Sequence, residues 1–136
     1  MNIPLGLAGA AVLGAHGVGH VLGWLPAWGL AAFEKVSTRS WALDPLLGDR
    51  LGAMVAGALY AAPTLGFLVA AGALATGQPW WREVAVASAI TSLVASALVP
   101  AALPTSSLAG STVVNLAVLG LADLADQVET FALAQP

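Results

Sequence analysis

The sequence predicts an all-α integral membrane protein, a bundle of four transmembrane helices forming a single domain over residues 1–136. Composition is the first reason: 59% of the 136 residues are hydrophobic and 8% are charged, whereas a soluble domain carries about 25% charged residues. The distribution of charge is the second, because residues 1–33, 51–81 and 84–122 contain no charged side chain. One helical crossing takes about 20 apolar residues. The first two segments therefore hold one crossing each, and the third, with 39 residues, holds two.

Composition and motifs also exclude several classes of function. The chain has no cysteine, which excludes disulfides, thiolate-bound zinc and iron–sulfur clusters. Its 4 basic side chains and net charge of −3 exclude the electrostatic surface that nucleic acid requires. Phosphate-binding glycine loops and the common hydrolase motifs do not occur. The sequence therefore predicts no enzymatic activity.

Prolines and capping residues place the ends of the spans. Pro26 ends the first helix, because the residue before a proline is driven out of the helical conformation. Asp44-Pro45 is a good capping pair for the second helix, and Pro100 and Pro104 separate the third from the fourth. The first segment lacks the basic start of a signal peptide, so we expect it to be a span. We expect the four spans at about residues 4–25, 46–75, 82–99 and 106–126.

The connection between the first two spans is expected to hold a short amphipathic helix, Ala27–Val36, lying in the membrane interface. This connection carries Lys35, Arg39 and Arg50, more basic residues than the opposite side of the bundle. The positive-inside rule then places it in the cytoplasm and both termini outside the plasma (inner) membrane. Tryptophan prefers the headgroup level, and the tryptophans cluster near the expected ends of spans. They are Trp24, Trp28, Trp41, Trp80 and Trp81.

Small residues recur at every fourth position on three of the helices. Such stripes let helix backbones approach closely within lipid, and they leave surface on which another subunit can dock. The stripes are Gly6, Ala10 and Gly14 on the first helix, Ala53, Gly57 and Ala61 on the second, and Ser88, Ser92 and Ser96 on the third.

Polar side chains from all four helices are expected at one depth within the membrane, in the half nearer the first connection. The estimate follows from the rise of about 1.5 Å per helical residue. Polar groups in lipid normally face the bundle interior or a cavity, so these residues are the candidate ligand-binding set. They are His16, His20, Tyr60, Ser92, Thr112 and Asn115.

The two histidines carry the most chemistry, and their spacing leaves three interpretations open. His16 and His20 lie four residues apart on one helix face, so they can lock the bundle through hydrogen bonds, bind a ligand or metal ion, or relay protons. A metal ion would need a third ligand from the first connection, and a haem would need Met54 or a second subunit. The candidate third ligands are Glu34, Asp44 and Asp49. The acidic residues near the end of the fourth helix, Asp123, Asp126 and Glu129, are expected to be a solvated helix end.

Three short motifs resemble those of a family of small bacterial membrane proteins. The first helix of that family reads A-H-G-x-x-H-x-x-G-[FW], as residues 15–24 do here. A W-W pair opens its third helix, similar to Trp80-Trp81, and G-T-x-x-N opens its fourth, where this chain has Ser111 in place of glycine. The resemblance implies a four-helix fold and no established activity, and its motifs contain His16, His20, Thr112 and Asn115.

Two functions remain as expectations. The first is a non-catalytic accessory or structural subunit that packs against other membrane proteins, or against itself, in the lipid bilayer. The alternative is a binding or transport module whose polar, histidine-lined pocket takes a quinone, haem, pigment or metal ion.

Overall fold

The computed structural model describes residues 3–133, and this part of the chain is helical with no β-strand. A 3-10 turn, Pro100–Ala102, precedes the last helix. The helices are α1 (Ile3–Gly19), α2 (Val21–Ala27), α3 (Leu43–Leu47), α4 (Asp49–Ala75), α5 (Trp81–Leu98) and α6 (Thr105–Leu133).

Four stretches are long and apolar enough to cross a membrane, which confirms the number of spans read from the charge pattern. By length and composition, the stretches within the described residues are Gly6–Ala27, Asp49–Ala75, Trp81–Leu98 and Thr105–Leu124. The third differs from its predicted bounds by one residue at each end. The fourth helix continues beyond its predicted end at residue 126, to Leu133.

The first span runs through His20 with a right-handed helical backbone, at a φ of −71° and a ψ of −13°, but its regular hydrogen bonding is interrupted there. The Nδ1–H group of His20 donates to the carbonyl oxygen of His16 at 2.9 Å. In an unbroken helix that carbonyl would accept the backbone N–H of residue 20. The backbone N–H of His20 instead bonds to the carbonyl of Gly17 at 3.2 Å, and the chain turns once before α2 begins. The His20 side chain therefore takes the carbonyl that its own backbone N–H would use, and this interrupts the regular hydrogen bonding of the span.

The interfacial helix expected at Ala27–Val36 does not form beyond its first residue, and this prediction was wrong. Gly29 and Lys35 adopt positive φ angles of 70° and 64°, a conformation that a right-handed helix cannot contain. The short helix of this connection is α3, Leu43–Leu47. Gly48 then turns the chain at a φ of 78°, so α4 begins at Asp49, three residues after the predicted start at residue 46.

Helix α4 lies at the centre of the described fold and contacts α1, α2, α3 and α5. Two glycines allow its approach to the first span. A Cβ atom at Gly17 would lie 3.0 Å from the Cβ of Phe67, and one at Gly23 would lie 2.5 Å from Cγ of Tyr60. Both aromatic rings are fully buried, so close backbone contact here excludes any larger residue.

Helix α6 packs mainly against α5 and only lightly against α1. Towards its end Asp123 is exposed, and its carboxylate accepts a hydrogen bond from the side-chain amide of Gln127 at 2.7 Å. The exposure of Asp123 agrees with the expected solvated helix end. The side chains of Asp126 and Glu129 lie outside the described residues.

The end of α5 is held by donors from other parts of the chain. The carbonyl oxygens of residues 97–99 lie at a helix end, where such oxygens lack intrahelical partners, and each accepts a hydrogen bond from a side chain; that of Val99 also accepts the backbone N–H of Ala102 at 3.1 Å. Trp41 donates to the first at 2.7 Å, Ser40 to the second at 2.7 Å and Tyr60 to the third at 3.1 Å. The connection after α2 and the connection after α5 therefore lie at the same end of the bundle.

Candidate functional site

Four polar side chains from three of the candidate spans form a continuous hydrogen-bond network. The first span supplies His16 and His20, α5 supplies Ser92 and α6 supplies Asn115. The two imidazole rings meet edge to face, with centroids 4.8 Å apart and an interplanar angle of 88°. Phe67 of α4 contacts both rings, with centroid distances of 4.6 Å and 5.9 Å.

The backbone carbonyl of His16 fixes the direction of this network. A carbonyl oxygen only accepts hydrogen bonds, so Nδ1 of His20 carries the proton that it shares with this oxygen. Nε2 of the neutral His20 ring is then an acceptor, and the hydroxyl of Ser92 donates to it at 2.6 Å. The Ser92 oxygen in turn accepts from the Asn115 Nδ2 group at 2.7 Å.

The remaining oxygen of the Asn115 amide closes the network on His16. Oδ1 of Asn115 accepts the Nε2–H of His16 at 2.9 Å. Because Nε2 carries the proton of the neutral ring, Nδ1 of His16 is an unprotonated acceptor. No hydrogen bond from the described part of the chain reaches this nitrogen. The network therefore presents one unused acceptor.

Burial separates His16 from its three partners. His20 is 1% exposed, and Ser92 and Asn115 are fully buried. The His16 side chain is only half-buried. His16 is therefore the member of the network that the outside can reach.

A cavity of about 220 Å³ lies beside His16, between the first span and α6. Ser111 is among the lining residues and is 8% exposed, and its hydroxyl oxygen is buried without a hydrogen-bond partner among the described residues. The lining thus includes a histidine with an unused acceptor and a serine with an unused, buried hydroxyl. Its lining consists of Ala15, His16, Gly19, His20, Leu22, Leu103, Ser107, Gly110 and Ser111.

Sequence reasoning did not select Ser111 as a site residue, although a signal for it exists. Ser111 precedes Asn115 by four residues, so both side chains lie on the same face of α6. In the sequence, Ser111 stands out only as the residue that replaces a glycine in the motif of residues 111–115.

Two of the expected ligand-binding residues do not join the network. The ring of Tyr60 lies near that of His20, with centroids 6.1 Å apart, but its hydroxyl donates to the carbonyl of Val99. Thr112 is half-buried, and its hydroxyl donates to the carbonyl of Leu108 in its own helix at 2.9 Å. Four of the six expected residues thus meet through hydrogen bonds.

The side chains expected to complete a metal site are engaged elsewhere or exposed. Both nitrogens of His20 take part in hydrogen bonds. Arg39 pairs with Asp44 at 3.2 Å and with Asp49, and its pKa is raised first by the hydrogen bond that it donates to Asp49 and then by the two negative charges. Glu34 is exposed. Within residues 3–133, no group of three or more His, Asp or Glu side chains is arranged to hold a metal ion.

Met54, the residue considered as a second haem ligand, is 54% exposed on α4. Its backbone carbonyl accepts a hydrogen bond from the Trp28 indole at 3.3 Å. The arrangement around the histidines thus favours a hydrogen-bonded ligand over a coordinated metal.

Comparison of the chain with protein-family models, with curated proteins and with solved structures finds no match. Its function has to be inferred from the direction of the hydrogen-bond network and from the cavity beside it.

Proposed function

We propose that the protein is a non-catalytic, multi-pass protein of the plasma membrane that binds a small molecule in the cavity between α1 and α6. Its termini are extracytoplasmic, as the basic residues of the first connection indicate. The observation that carries the proposal is that His16 lines the cavity and that the network leaves its Nδ1 unprotonated and unused.

The chemistry of the cavity selects the ligand's polar group. An acceptor without a partner is costly in a medium that lacks water, so Nδ1 of His16 calls for an N–H or O–H donor. Ser111 lines the same cavity, and rotation about its χ1 bond would bring its unpartnered, buried hydroxyl to the same ligand group. A hydroxyl group both donates and accepts, and it satisfies the two residues together.

The network favours binding over proton relay. A relay would have to pass a proton from His16 to the amide of Asn115, and an amide does not readily gain or lose protons. At its other end the network stops at a backbone carbonyl, the oxygen of His16. Both features support a network that holds His16 rigidly in one tautomer and does not relay protons.

The proposal is tested by nitrogen NMR of isotope-labelled histidine in the protein reconstituted in lipid nanodiscs. The chain has 2 histidines, so each signal can be assigned with one variant. Titration with para-ethylphenol should shift the Nδ1 signal of His16 and leave His20 nearly unchanged. Its methyl ether, para-ethylanisole, has no hydrogen-bond donor and should shift neither.

Two variants make the test specific. Ser111→Ala should weaken the binding of para-ethylphenol, whereas Thr112→Val should not, because the Thr112 hydroxyl bonds within its own helix. An Nδ1 signal of His16 that does not respond to the phenol, or responds equally to the ether, would overturn the proposal.

A second candidate, an accessory subunit, is favoured by the exposure of α6. Only 11% of the α6 span is buried, against 28%, 33% and 39% of the other three spans. A Cβ atom at Gly120 would meet nothing within 4 Å, and Leu116 on the same face is 56% exposed. An open glycine on such a face permits close approach by another helix.

Purification from native membrane in mild detergent tests this second function. We expect the wild-type chain to migrate with a larger assembly and Gly120→Leu to release it as a monomer. Recovery of the wild-type chain as a free monomer would count against the accessory role.

A further inference from the structure

A second, larger cavity continues the seam between the first span and α6. Its volume is about 370 Å³, within the range of about 300–1,000 Å³ typical of ligand pockets. Apart from Trp81 and Arg82 at its far end, its lining is aliphatic or glycine. The lining residues are Gly9, Val12, Leu13, Leu74, Trp81, Arg82, Ala85, Val86, Val113, Val114, Ala117, Val118, Leu121 and Ala122.

The two cavities lie end to end along both helices. On α1, Leu13 lines the apolar cavity and Ala15 the polar one; on α6, Val113 lines the apolar cavity and Ser111 the polar one. From Val113 to Ala122 the apolar part extends about 13.5 Å along α6, at 1.5 Å per residue. It runs away from the histidines towards the start of α5.

The apolar cavity is open along its side. Val12 of α1 is 56% exposed, and Val113 and Leu121 of α6 are each 66% exposed. In a bilayer these residues face the acyl chains, so a hydrophobic molecule can enter laterally without crossing a polar surface.

We infer that the ligand is a single-tailed amphiphile whose hydroxyl head occupies the cavity of His16 and Ser111 and whose tail lies in the groove between α1 and α6. The inference rests on the proposed function and adds the class of ligand. Quinols, long-chain phenols and long-chain alcohols share this chemistry.

The donor requirement distinguishes this class from related lipids. A quinone presents carbonyl oxygens, which can accept from Ser111 but cannot donate to Nδ1 of His16. The head of a phospholipid carries a negative phosphate, which would face the lone pair of that nitrogen. A hydroxylated head avoids both conflicts, and its tail fills a groove that has few polar atoms.

The test uses para-decylphenol and decanol, each carrying a diazirine at the end of its tail, with the protein in nanodiscs. After illumination, the labelled residues are mapped by mass spectrometry. We expect labelling of the groove residues on α1 and α6 to exceed that of Leu65 and Leu68, exposed residues of α4 outside the groove, by at least about fivefold per residue. Comparison of the two probes shows whether the site prefers a phenol or an aliphatic alcohol.

Ala117→Phe fills the groove and should remove most of this preference, whereas Leu116→Phe on the exposed face outside it should not. Equal labelling of α4 and the groove, with the Nδ1 shift of His16 retained, would overturn the placement of the tail and leave the proposed function standing. Loss of the Nδ1 response to phenols would overturn the proposed function itself.

Discussion

At the scale of single residues, the side chain of His20 sets both the local backbone and the chemistry of its neighbour. By donating to the carbonyl of His16 it interrupts the helix, and the same bond makes its other nitrogen an acceptor for Ser92. Ser92 accepts from the side-chain amide of Asn115, and the oxygen of that amide accepts the Nε2–H of His16. Nδ1 of His16 is then the nitrogen without a proton. One hydrogen bond to the backbone thus determines which nitrogen of His16 carries no proton.

The sequence could predict which residues lie at this depth but not how they pair. Helical rise brought His16, His20, Ser92 and Asn115 to one level, and the structure joins them by hydrogen bonds. Thr112 lies at a similar depth, yet its hydroxyl bonds to its own helix. Which of these side chains bond across helices depends on their rotamers and on packing against α5. The spacing of residues along one helix carries no information about either.

Ser92→Ala should destabilise the protein because it leaves two buried groups unsatisfied, Nε2 of His20 and the amide of Asn115. We expect the free energy of unfolding to fall by about 1–2 kcal/mol, measured by detergent titration in mixed micelles. Ser88→Ala is the matched control, since the Ser88 hydroxyl is bonded to the carbonyl of Val84 in its own helix. Equal effects of the two substitutions would show that the network adds no stability.

At the scale of elements, the close approach of α2 to α4 depends on Gly23. The sequence predicted that the helices contact one another through stripes of small residues. The central position of α4 agrees with the stripe of Ala53, Gly57 and Ala61 on that helix. Gly23 lies outside the stripe of Gly6, Ala10 and Gly14, yet its contact with Tyr60 is closer than the contact of Gly14 with α4, since a Cβ at Gly14 would lie 3.8 Å from the Cβ of Ala71.

In place of the expected interfacial helix at Ala27–Val36 there is an irregular connection, in which Gly29 and Lys35 have positive φ angles. Just after it, the backbone N–H of Ser37 bonds to the distant carbonyl of Ala101 at 2.7 Å.

Gly23→Ala should lower the free energy of unfolding by about 1–3 kcal/mol, because its Cβ would overlap the buried Tyr60 ring. Gly72→Ala in α4 is the control: a Cβ there meets nothing within 4 Å, and alanine favours a helix over glycine by about 0.5–1 kcal/mol. We expect Gly72→Ala to be neutral or stabilising in the same titration. A Gly23→Ala protein as stable as the wild type would contradict the close contact.

At the scale of the whole molecule, the distribution of 11 charges among 136 residues is enough to predict four spans. It works because charge is excluded from hydrocarbon whatever the side chains pack against. The seam between α1 and α6, with its two cavities, could not be predicted in this way. It arises because α6 packs on α5 and leaves α1 partly uncovered, and this arrangement has no signature in composition.

The topology is tested by single cysteines, since the chain has none of its own. Glu34→Cys lies in the connection after α2 and Ser106→Cys in the first turn of α6, at the same end of the bundle, and Gln78→Cys lies at the other end; all three positions are exposed. With an impermeant maleimide, Gln78→Cys should react in intact cells, and the other two only after permeabilisation. Reaction of Glu34→Cys and Gln78→Cys from the same side would contradict the four-span arrangement.

The hydrogen-bond network holds the two neutral histidines in opposite tautomers. Nitrogen NMR of isotope-labelled histidine at neutral pH measures these tautomers directly. We predict that His16 carries its proton on Nε2 and leaves Nδ1 bare, whereas His20 carries its proton on Nδ1. Asn115→Leu should release the preference of His16 and leave that of His20 unchanged, because His20 is fixed by the backbone. Two histidines in the same tautomer, or both charged, would contradict the account.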